Sequence, residues 1–454
     1  MASLLKNKKI HIVGIGGIGM SAIAEILINL DCIISGSDLA ENQNTLKLRQ
    51  MGCDIFIGHK SDNIKSDVEL LVFSSAVKKD NPELVQANNS NIPVLKRSEI
   101  LADIMRLKCG VAVAGTHGKT TTTSLVATIL KSAGIDPTYL IGGIVKNLSG
   151  HAYVGKGDFF VVEADESDGT FLKLNPVVAG ITNIDFDHLD YYGDEQNLIN
   201  AFSDFCELVP FYGRIILNYD DPFSRSISGH CKKPMTLISG KEKNDKIDYY
   251  VENITEFLGE TQFDLIYQNE KVARISMKLN GFHNIQNALV AIAMTRELGL
   301  TFDEIRKGIS DFDGVGRRLE VLKKGEDYFF IDDYGHHPTE VSATIKAVQN
   351  LKENKQLVVI FEPHRYTRTK NCWMEFTKAF ELADKVYILP IYSAGEEAIE
   401  GINSQRLMEE INLEKNNCFY VNKLTDIEEI KNCHQKIILS MGAGKIGREI
   451  REIV

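Results

Sequence analysis

A glycine-rich loop between an apolar strand and a helix constrains the fold of this chain more than any other feature. The loop, Gly115–Thr121, follows a predicted strand at Gly110–Ala114 and leads into a predicted helix at Thr120–Ser132. Its backbone N–H groups can surround phosphates, Lys119 can reach the β and γ oxygens, and the Thr120 hydroxyl can ligate Mg²⁺. Two residues rather than the usual four separate its glycines. The loop predicts a nucleoside-triphosphate site; the alternative is a glycine turn beside an exposed lysine. The candidate nucleotide-binding residues are Gly115, Thr116, His117, Gly118, Lys119, Thr120 and Thr121.

Short apolar runs with strand character alternate with helical stretches along the whole chain. The first hundred residues contain predicted strands at Lys9–Val13, Cys32–Ser35 and Leu70–Ser74, and a predicted helix at Ile18–Leu30. This alternation predicts an α/β protein with parallel sheets. The 454 residues suggest three domains of roughly 150 residues each. We predict a Rossmann-like domain at 1–107, a central P-loop ATPase-type parallel-sheet domain at 108–315 and a C-terminal Rossmann-like domain at 316–454.

The composition excludes several classes of protein. The chain has 51 Lys and Arg against 62 Asp and Glu, and this net charge of −11 argues against a nucleic-acid binder or a membrane-surface protein. Its eight cysteines form no C-x-x-C pair, which is typical of thiols in a reducing compartment. No apolar run reaches the roughly 18 residues of a membrane helix. We expect a cytoplasmic protein with no nucleic-acid partner and no membrane insertion.

A second glycine-rich loop, Gly14–Gly19, follows the first predicted strand and has the G-x-G-x-x-G spacing. Asp38 lies 24 positions after Gly14, at the end of the next strand. Such glycines let the backbone approach a diphosphate, and the acid can bond a ribose hydroxyl. The pattern predicts nucleotide binding and leaves NAD and a UDP-sugar both open; the alternative is a tight turn without a ligand. The same spacing at Gly442–Gly447 has no following acid, and we interpret it as a structural turn. The candidate substrate-binding residues here are Gly14, Gly16, Gly17, Gly19 and Asp38.

Carboxylates follow a predicted strand of the central domain. Glu163 ends this strand, and Asp165, Glu166 and Asp168 come directly after it. A carboxylate at the end of a strand beside a phosphate loop is a better metal candidate than a solvated acid, although acidic runs are usually solvated. His188 follows the next strand and could ligate a metal, contact phosphate or be structural; zinc is disfavoured because no companion thiol is present. The candidate metal ligands are Thr120, Glu163 and His188.

Two pairs of polar residues lie nearer the C-terminus. Asn284 and Asn287 are three residues apart and would share one face of a helix. Their amides could contact a nucleotide; the alternative is that one is a helix N-cap and the other faces solvent. Arg365 and Arg368 follow a strand and could clamp a carboxylate, although surface arginines are often only solvated.

Taken together, these motifs resemble the Mur ligases, a family of bacterial cell-wall synthesis. The resemblance covers nearly the whole chain in the family's order, and the short glycine spacing of the phosphate loop is usual in that family. It implies a domain that holds a UDP-linked substrate, a P-loop domain for ATP and Mg²⁺, and a domain that binds an amino acid and closes over the site. The matching stretches are Gly14–Ser21, Gly115–Thr123, Glu163–Ser167, Asn183–His188, His283–Asn287, Gly316–Arg318, Asp332–Glu340 and Glu362–Arg368.

The resemblance also implies roles for single residues. Lys119 would contact the γ-phosphate, Thr120 and Glu163 would hold one Mg²⁺, and His188 a second. The implied catalytic residues are Lys119, Glu163, His188 and His336. The implied ATP contacts outside the phosphate loop are Asn284, Asn287, Arg318 and Asp333. The region that would receive L-alanine and the muramoyl carboxylate contains His336, Arg365 and Arg368.

The implied reaction joins L-alanine to the carboxylate of UDP-N-acetylmuramate with ATP and gives ADP and phosphate through an acyl phosphate. His336 is a candidate base for the amine, and Gly314–Gly316 is a candidate hinge for domain closure. A homodimer is compatible with the sequence. A related activity joins a whole murein peptide instead of alanine, and the 332–336 and 163–170 stretches favour alanine. An NAD-dependent oxidoreductase leaves the phosphate loop unexplained, and a regulatory ATP-binding module leaves Lys119 and the acids without a purpose.

Overall fold

The structure, a computed structural model, describes residues 4–454 except positions 75, 144, 146, 149, 188, 258 and 414. Three β-sheets with helices packed on them make up the described part of the chain. None of the helices in this described part combines the length and the apolar character that crossing a lipid bilayer requires.

The first sheet has the strand order β3-β2-β1-β4-β5, and all its neighbouring strands are parallel. This is the sheet that the alternation of strands and helices predicts for a Rossmann-like domain. Its strands are β1 Lys9–Val13, β2 Ile33–Asp38, β3 Asp54–Ile57, β4 Leu70–Phe73 and β5 Val94–Lys96. Its helices are α1 Ile18–Asn29, α2 Gln43–Gln50, α3 Pro82–Asn89 and α4 Arg97–Met105.

The second sheet has the order β15-β14-β13-β12-β11-β10-β6-β9-β7-β8. Its central strands are parallel and buried along nearly their whole length, as expected of a parallel sheet with helices on both faces. Its strands are β6 Cys109–Ala114, β7 Thr138–Leu140, β8 Ala152–Tyr153, β9 Phe159–Glu163, β10 Val178–Ile181, β11 Arg214–Asn218, β12 Met235–Ser239, β13 Tyr249–Phe257, β14 Glu260–Tyr267 and β15 Glu270–Met277. The accompanying helices are α5 Lys119–Ser132, α6 Leu189–Tyr192, α7 Glu195–Glu207, α8 Pro222–Ser228, α9 Phe282–Glu297 and α10 Phe302–Ser310.

The third sheet has the order β16-β17-β21-β18-β19-β20, with β16 antiparallel to β17 and the other pairs parallel. Separate apolar clusters cover its two faces. Its strands are β16 Glu320–Lys324, β17 Phe329–Asp333, β18 Gln356–Phe361, β19 Lys385–Ile388, β20 Cys418–Tyr420 and β21 Lys436–Met441. Its helices are α11 Pro338–Leu351, α12 Tyr366–Asn371, α13 Trp373–Lys378, α14 Ser404–Ile411, α15 Glu428–Lys431 and α16 Ile446–Ile453.

The register of the second sheet positions the central site. Val113 of β6 pairs with Glu163 of β9, and Ala114 pairs with Ile181 of β10. The phosphate loop, Glu163 and the residues after Ile181 therefore emerge at one edge of the sheet. This is the carboxyl edge, where open parallel sheets bind their ligands.

The chain divides into two compact units. The first contains Met1–Tyr250, Tyr267–Glu270 and Asn287–Phe312, and the second contains Val251–Ile266, Lys271–Gln286 and Asp313–Val454. Within the first unit, one apolar cluster includes side chains from both the first and the second sheet. The boundaries 1–107, 108–315 and 316–454 remain predictions.

Candidate active site

The phosphate loop needs its glycines at two positions. Gly115 and Gly118 have φ of +132° and +82°, in the region that side-chain-bearing residues rarely adopt. A Cβ atom on Gly115 would overlap the Thr182 hydroxyl, and one on Gly118 would overlap the Asn287 side chain. The loop is therefore folded tightly against its neighbours before α5 begins at Lys119.

Lys119 is folded back over its own loop. Its Nζ donates to the carbonyl oxygens of Gly115 at 2.6 Å and Thr116 at 3.0 Å, and lies 2.9 and 2.8 Å from the two carboxylate oxygens of Glu166. Glu166 is only 1% exposed. Burial disfavours the lysine charge, but the adjacent Glu166 carboxylate outweighs it and holds the pKa of Lys119 above its ordinary value. Lys119 is thus a fixed cation at the loop.

The segment after β10 holds the first half of the loop. The N–H of His117 donates to Asn183 Oδ1 at 2.9 Å, and the N–H of Thr116 donates to the Asn183 carbonyl at 3.0 Å. The His117 ring Nε2 lies 2.9 Å from Asp185 Oδ2. These contacts connect two strand ends that are far apart in sequence, so they fix the loop relative to the sheet.

Thr120 and Glu163 lie together, as the sequence predicts for a pair of metal ligands. The Thr120 hydroxyl donates to Glu163 Oε2 at 3.1 Å, and the other Glu163 oxygen accepts the N–H of Gly142 at 2.6 Å. Hydroxyl and carboxylate oxygens are the hard donors that Mg²⁺ prefers, so this pair fits the ion. His188, the third predicted ligand, lies outside the described residues.

A cavity of about 310 Å³ lies between helices of the first sheet and the phosphate loop. On the loop side its polar lining is Lys119, Glu163 and Asp165, and on the other side it is bounded by the N-terminal turns of α1 and α4. Burial disfavours ionisation of Asp165, but the Lys119 charge and the Ser167 N–H hold its pKa below the ordinary value. The cavity thus combines charged groups with an apolar wall formed by Ile18, Ala22, Ile23, Leu101, Leu140, Ile141, Phe171 and Leu174.

The first glycine loop leads from β1 into α1. Gly14 has φ of +78°, and the N–H of Gly16 donates to Asp38 Oδ2 at 2.8 Å. A Cβ atom on Gly16 would lie 2.6 Å from Asn42 Nδ2, whereas one on Gly17 would meet only the Gly14 carbonyl at 3.5 Å. In this structure Asp38 fixes the loop, and its contact with a ribose remains a prediction.

The second glycine loop of this spacing, Gly442–Gly447, is filled by the protein's own side chains. A Cβ atom on Gly444 would overlap the Glu362 carboxylate, and one on Gly447 would overlap the Arg317 guanidinium. Glu362, 1% exposed, accepts the N–H of Ile446 at 3.2 Å. The carboxylate thus lies at the start of α16, where a ligand phosphate would otherwise bind. This packing supports the interpretation as a structural turn.

Asn284 and Asn287 both belong to α9, but they fall in different compact units. Asn284 donates from Nδ2 to the carbonyl of Asn280 at 2.8 Å, and both amides are about 5% exposed or less. Asn287 is the residue that a side chain on Gly118 would overlap. The contacts of Asn284 and Asn287 with the nucleotide both remain predictions.

The residues predicted to bind the amino-acid substrate form one group in the second unit. The ring of His336 lies 5.7 Å from that of His364, and Arg368 NH1 lies 3.5 Å from His364 Nδ1. Arg365 has φ of +70°, an uncommon conformation for a residue with a side chain, at the start of α12. Burial, aided by the charge of Arg368, lowers the pKa of His336 to about 4 even though Glu340 opposes the shift. His336 is therefore neutral at pH 7.

Arg318 and Asp333 lie in the same unit, and Arg318 contacts Glu340, the residue beside His336. Arg318 pairs with Glu340 at 3.5 Å and lies over the ring of Tyr334 at 5.2 Å. Asp333 accepts backbone N–H groups of Leu319 and Gly335, both at 2.8 Å, and burial raises its pKa. Here Asp333 stabilises a turn, and its predicted contact with ATP remains untested.

Comparison with known proteins agrees with these motifs. The chain matches the models described as "Mur ligase family, catalytic domain" at residues 9–108, "Mur ligase middle domain" at 113–295 and "Mur ligase, glutamate ligase domain" at 317–444. It is 45% identical over 452 residues to UDP-N-acetylmuramate–L-alanine ligase of Endomicrobium trichonymphae, covering 99% of each chain. The chain belongs to the Mur ligase family.

Other Mur ligases give the same result. The identity to UDP-N-acetylmuramate–L-alanine ligase of Syntrophus aciditrophicus is 43%, covering 93% of this chain and 88% of the relative. A crystal structure of the Thermotoga maritima UDP-N-acetylmuramate–alanine ligase has a TM-score of 0.80 at 30% identity, covering 98% of each chain. A murein peptide ligase from Psychrobacter arcticus has a TM-score of 0.69 at 24% identity and 98% coverage of each chain, and shares the fold. The predicted three-domain α/β architecture is thereby confirmed.

Two parts of this Mur ligase's site were not identified from the sequence. Glu166 belongs to an acidic run of a kind that is usually exposed to solvent. In the structure it is buried against Lys119, which lies 47 residues earlier in the sequence. Asn183 and Asp185 lie in a matching stretch, but nothing in their spacing indicates that they hold Thr116 and His117. Polar residues within four positions of the end of each central strand are the signal that could have identified both.

Proposed function

We propose that this Mur ligase uses ATP to join L-alanine to the carboxylate of UDP-N-acetylmuramate, giving ADP and phosphate. The observation that carries the proposal is the placement of Lys119 and Glu163, the latter hydrogen-bonded to Thr120, on one wall of a cavity whose other wall belongs to the domain with the first glycine loop. The sequence identity of 41–47% between this chain and several UDP-N-acetylmuramate–L-alanine ligases supports the choice of substrates.

The chemistry follows from the poor reactivity of a carboxylate. At neutral pH a carboxylate does not react with an amine, because it is resonance-stabilised and has no good leaving group. Transfer of the γ-phosphoryl group from ATP to the muramoyl carboxylate gives an acyl phosphate and ADP. The amine of L-alanine then attacks the acyl carbon, phosphate leaves and the amide forms. Lys119 stabilises the charge on the phosphoryl group during transfer.

Mg²⁺ is part of the proposal, with two ions expected. Thr120 and Glu163 would hold one ion, which would neutralise phosphate charge when bound. We assign His188 to the second. The alanine amine must also lose a proton, and we propose His336 as the acceptor; its neutral ring can accept a proton at pH 7, although a pKa of about 4 makes it a weak base.

The residues named for the reaction all come from one chain, so the proposal holds for a monomer and for a homodimer. The eight cysteines are free thiols, which suits the reducing cytoplasm in which we propose that the enzyme acts.

The test is phosphate release by the purified protein with ATP, Mg²⁺, UDP-N-acetylmuramate and L-alanine, omitting each in turn. We expect release only with all four present. Release with a murein tripeptide but not with L-alanine would instead assign the recycling activity. The same assay on the His336→Ala variant between pH 6 and 9 tests the base: an unchanged chemical step would exclude His336.

A further inference from the structure

Arg97, the first residue of α4, lies across the first glycine loop. Its NH1 atom is 2.6 Å from the position that a Cβ atom on Gly19 would take. Gly19 is the last glycine of the G-x-G-x-x-G spacing, so its missing side chain is what leaves room for the guanidinium. The Arg97 side chain remains 33% exposed, and a ligand can therefore reach it.

The same arginine lines the 310 Å³ cavity that contains Lys119 and Glu163. Arg97 therefore lies between the loop expected to hold the UDP part of the substrate and the loop expected to hold ATP. A molecule that extends from one loop to the other passes the guanidinium. Two anionic groups of UDP-N-acetylmuramate would lie along this path: the diphosphate and the muramoyl carboxylate.

The pairing of Arg97 within the protein is loose. Its NH2 atom is 3.7 Å from Asp165 Oδ2, well beyond the 2.7–2.9 Å of a charge-assisted hydrogen bond. By contrast, Glu99 on the same helix pairs with Lys173 at 2.7 Å, although both ion pairs connect α4 to the segment after β9. The tight pair already connects these elements, which leaves the loose one available for exchange.

We propose that Arg97 is a substrate-binding residue that recognises an anionic group of the UDP-sugar and exchanges Asp165 for it when the substrate binds. The proposal rests on the proposed function. The planar guanidinium suits this task because it can donate two parallel hydrogen bonds to the oxygens of a phosphate or a carboxylate.

The test is titration calorimetry with two probes, UDP-N-acetylmuramate and UDP-N-acetylglucosamine, of which the second lacks the carboxylate. The Arg97→Met variant keeps an unbranched apolar stem and removes the guanidinium with its charge. We expect it to weaken UDP-N-acetylmuramate binding by about 10- to 100-fold, the range for a hydrogen-bonded charged group. An equal loss for both probes assigns the diphosphate, and a loss confined to UDP-N-acetylmuramate assigns the carboxylate.

Two further variants separate recognition from structure. Lys173→Met breaks the neighbouring ion pair outside the cavity and should change both affinities less than about twofold. Asp165→Asn removes the internal partner of Arg97 and should leave UDP-N-acetylmuramate binding equal or tighter. The proposal is overturned if Arg97→Met binds like wild type, or if Asp165→Asn or Lys173→Met weakens binding as much as Arg97→Met does.

Steady-state kinetics provide a second readout. Arg97→Met should raise the KM for UDP-N-acetylmuramate and leave the KM for ATP unchanged, whereas a general loss of structure would alter both. Failure of wild-type protein to bind UDP-N-acetylmuramate or to release phosphate would instead reject the proposed function, whatever the variants show.

Discussion

The loops Gly14–Gly19 and Gly442–Gly447 have the same glycine spacing and the same position between a parallel strand and a helix, but different groups pack against them. In the second loop, the buried Glu362 carboxylate and the Arg317 guanidinium fill the space that the glycines leave. In the first loop Asn42 and Asp38 pack against Gly16, a Cβ atom on Gly17 would meet only the Gly14 carbonyl at 3.5 Å, and the partly exposed Arg97 lies over the last glycine.

The contrast shows that glycine spacing specifies room for a close approach and not what approaches. A carboxylate from the same chain can take the helix N-terminus as well as a ligand phosphate can. The residues that occupy the space decide between a binding loop and a structural turn, and in both loops they come from distant parts of the sequence.

The largest expected difference is in phosphate release between two variants, each lacking the lysine of a different glycine loop. Lys119→Ala removes the fixed cation of the phosphate loop and should reduce phosphate release by about 10³-fold or more, because transition-state charge loses its stabilisation. Lys445 occupies the filled loop, is 54% exposed and pairs only loosely with Glu449 at 3.3 Å. Lys445→Ala should stay within about twofold of wild type. Similar losses in the two variants, with circular dichroism confirming that both fold, would contradict the distinction.

Gly444→Ala should instead reduce stability. Its Cβ would overlap the Glu362 carboxylate, which is too buried to move aside, so we expect the free energy of unfolding to fall by about 1–3 kcal/mol. Urea denaturation measures the loss. A variant as stable as wild type would show that the second loop is not filled as described.

Gly17→Ala should show the opposite pattern. Gly17 has ordinary backbone angles, and its Cβ would make only an ordinary contact with the Gly14 carbonyl at 3.5 Å, so the substitution should change the free energy of unfolding by no more than about 0.5 kcal/mol. A methyl group where phosphates approach should weaken UDP-N-acetylmuramate binding by about tenfold. Calorimetry on this variant distinguishes the two loops directly. Unchanged affinity would mean that the first loop binds no diphosphate.

The smallest effect concerns pH. Burial raises the pKa of Glu362, although the Ile446 N–H opposes the shift, so the folded protein keeps this proton at a higher pH than the unfolded chain does. The contribution of Glu362 to stability is then complete below the unfolded-state pKa of about 4.3 and is lost as pH rises above it. Glu362→Gln has no proton to lose, and its Tm should rise relative to wild type between pH 5 and pH 8. A Tm difference that does not depend on pH would argue against a buried, hard-to-ionise carboxyl.

The sequence predicted the parts of the fold that have a local cause. Lys9–Val13 is a strand as predicted, and the predicted strand Gly110–Ala114 is observed as Cys109–Ala114, because strands buried on both faces are continuous apolar runs. The strands β13 to β15 have no such run: the second half of Tyr249–Phe257 is largely exposed. The strand predicted at Cys32–Ser35 begins one residue later and extends further, as Ile33–Asp38.

The site divides in the same way. Thr120 and Glu163 could be paired from the sequence because both follow strand ends at one sheet edge. The burial of Glu166 could not be predicted, because it depends on a contact with Lys119, which lies 47 residues earlier in the sequence. Arg97 was missed for the same reason: its position over the first glycine loop depends on the absence of a side chain on Gly19, 78 residues earlier.

The folded-back lysine has a consequence for selectivity in a crowded cell. An ammonium group that already donates to two carbonyls and a carboxylate attracts stray inorganic anions weakly. A guest must replace those bonds with several negative oxygens at once, and a triphosphate carries enough of them whereas a lone phosphate or chloride does not. We therefore expect the unliganded loop to bind ATP in preference to these small anions.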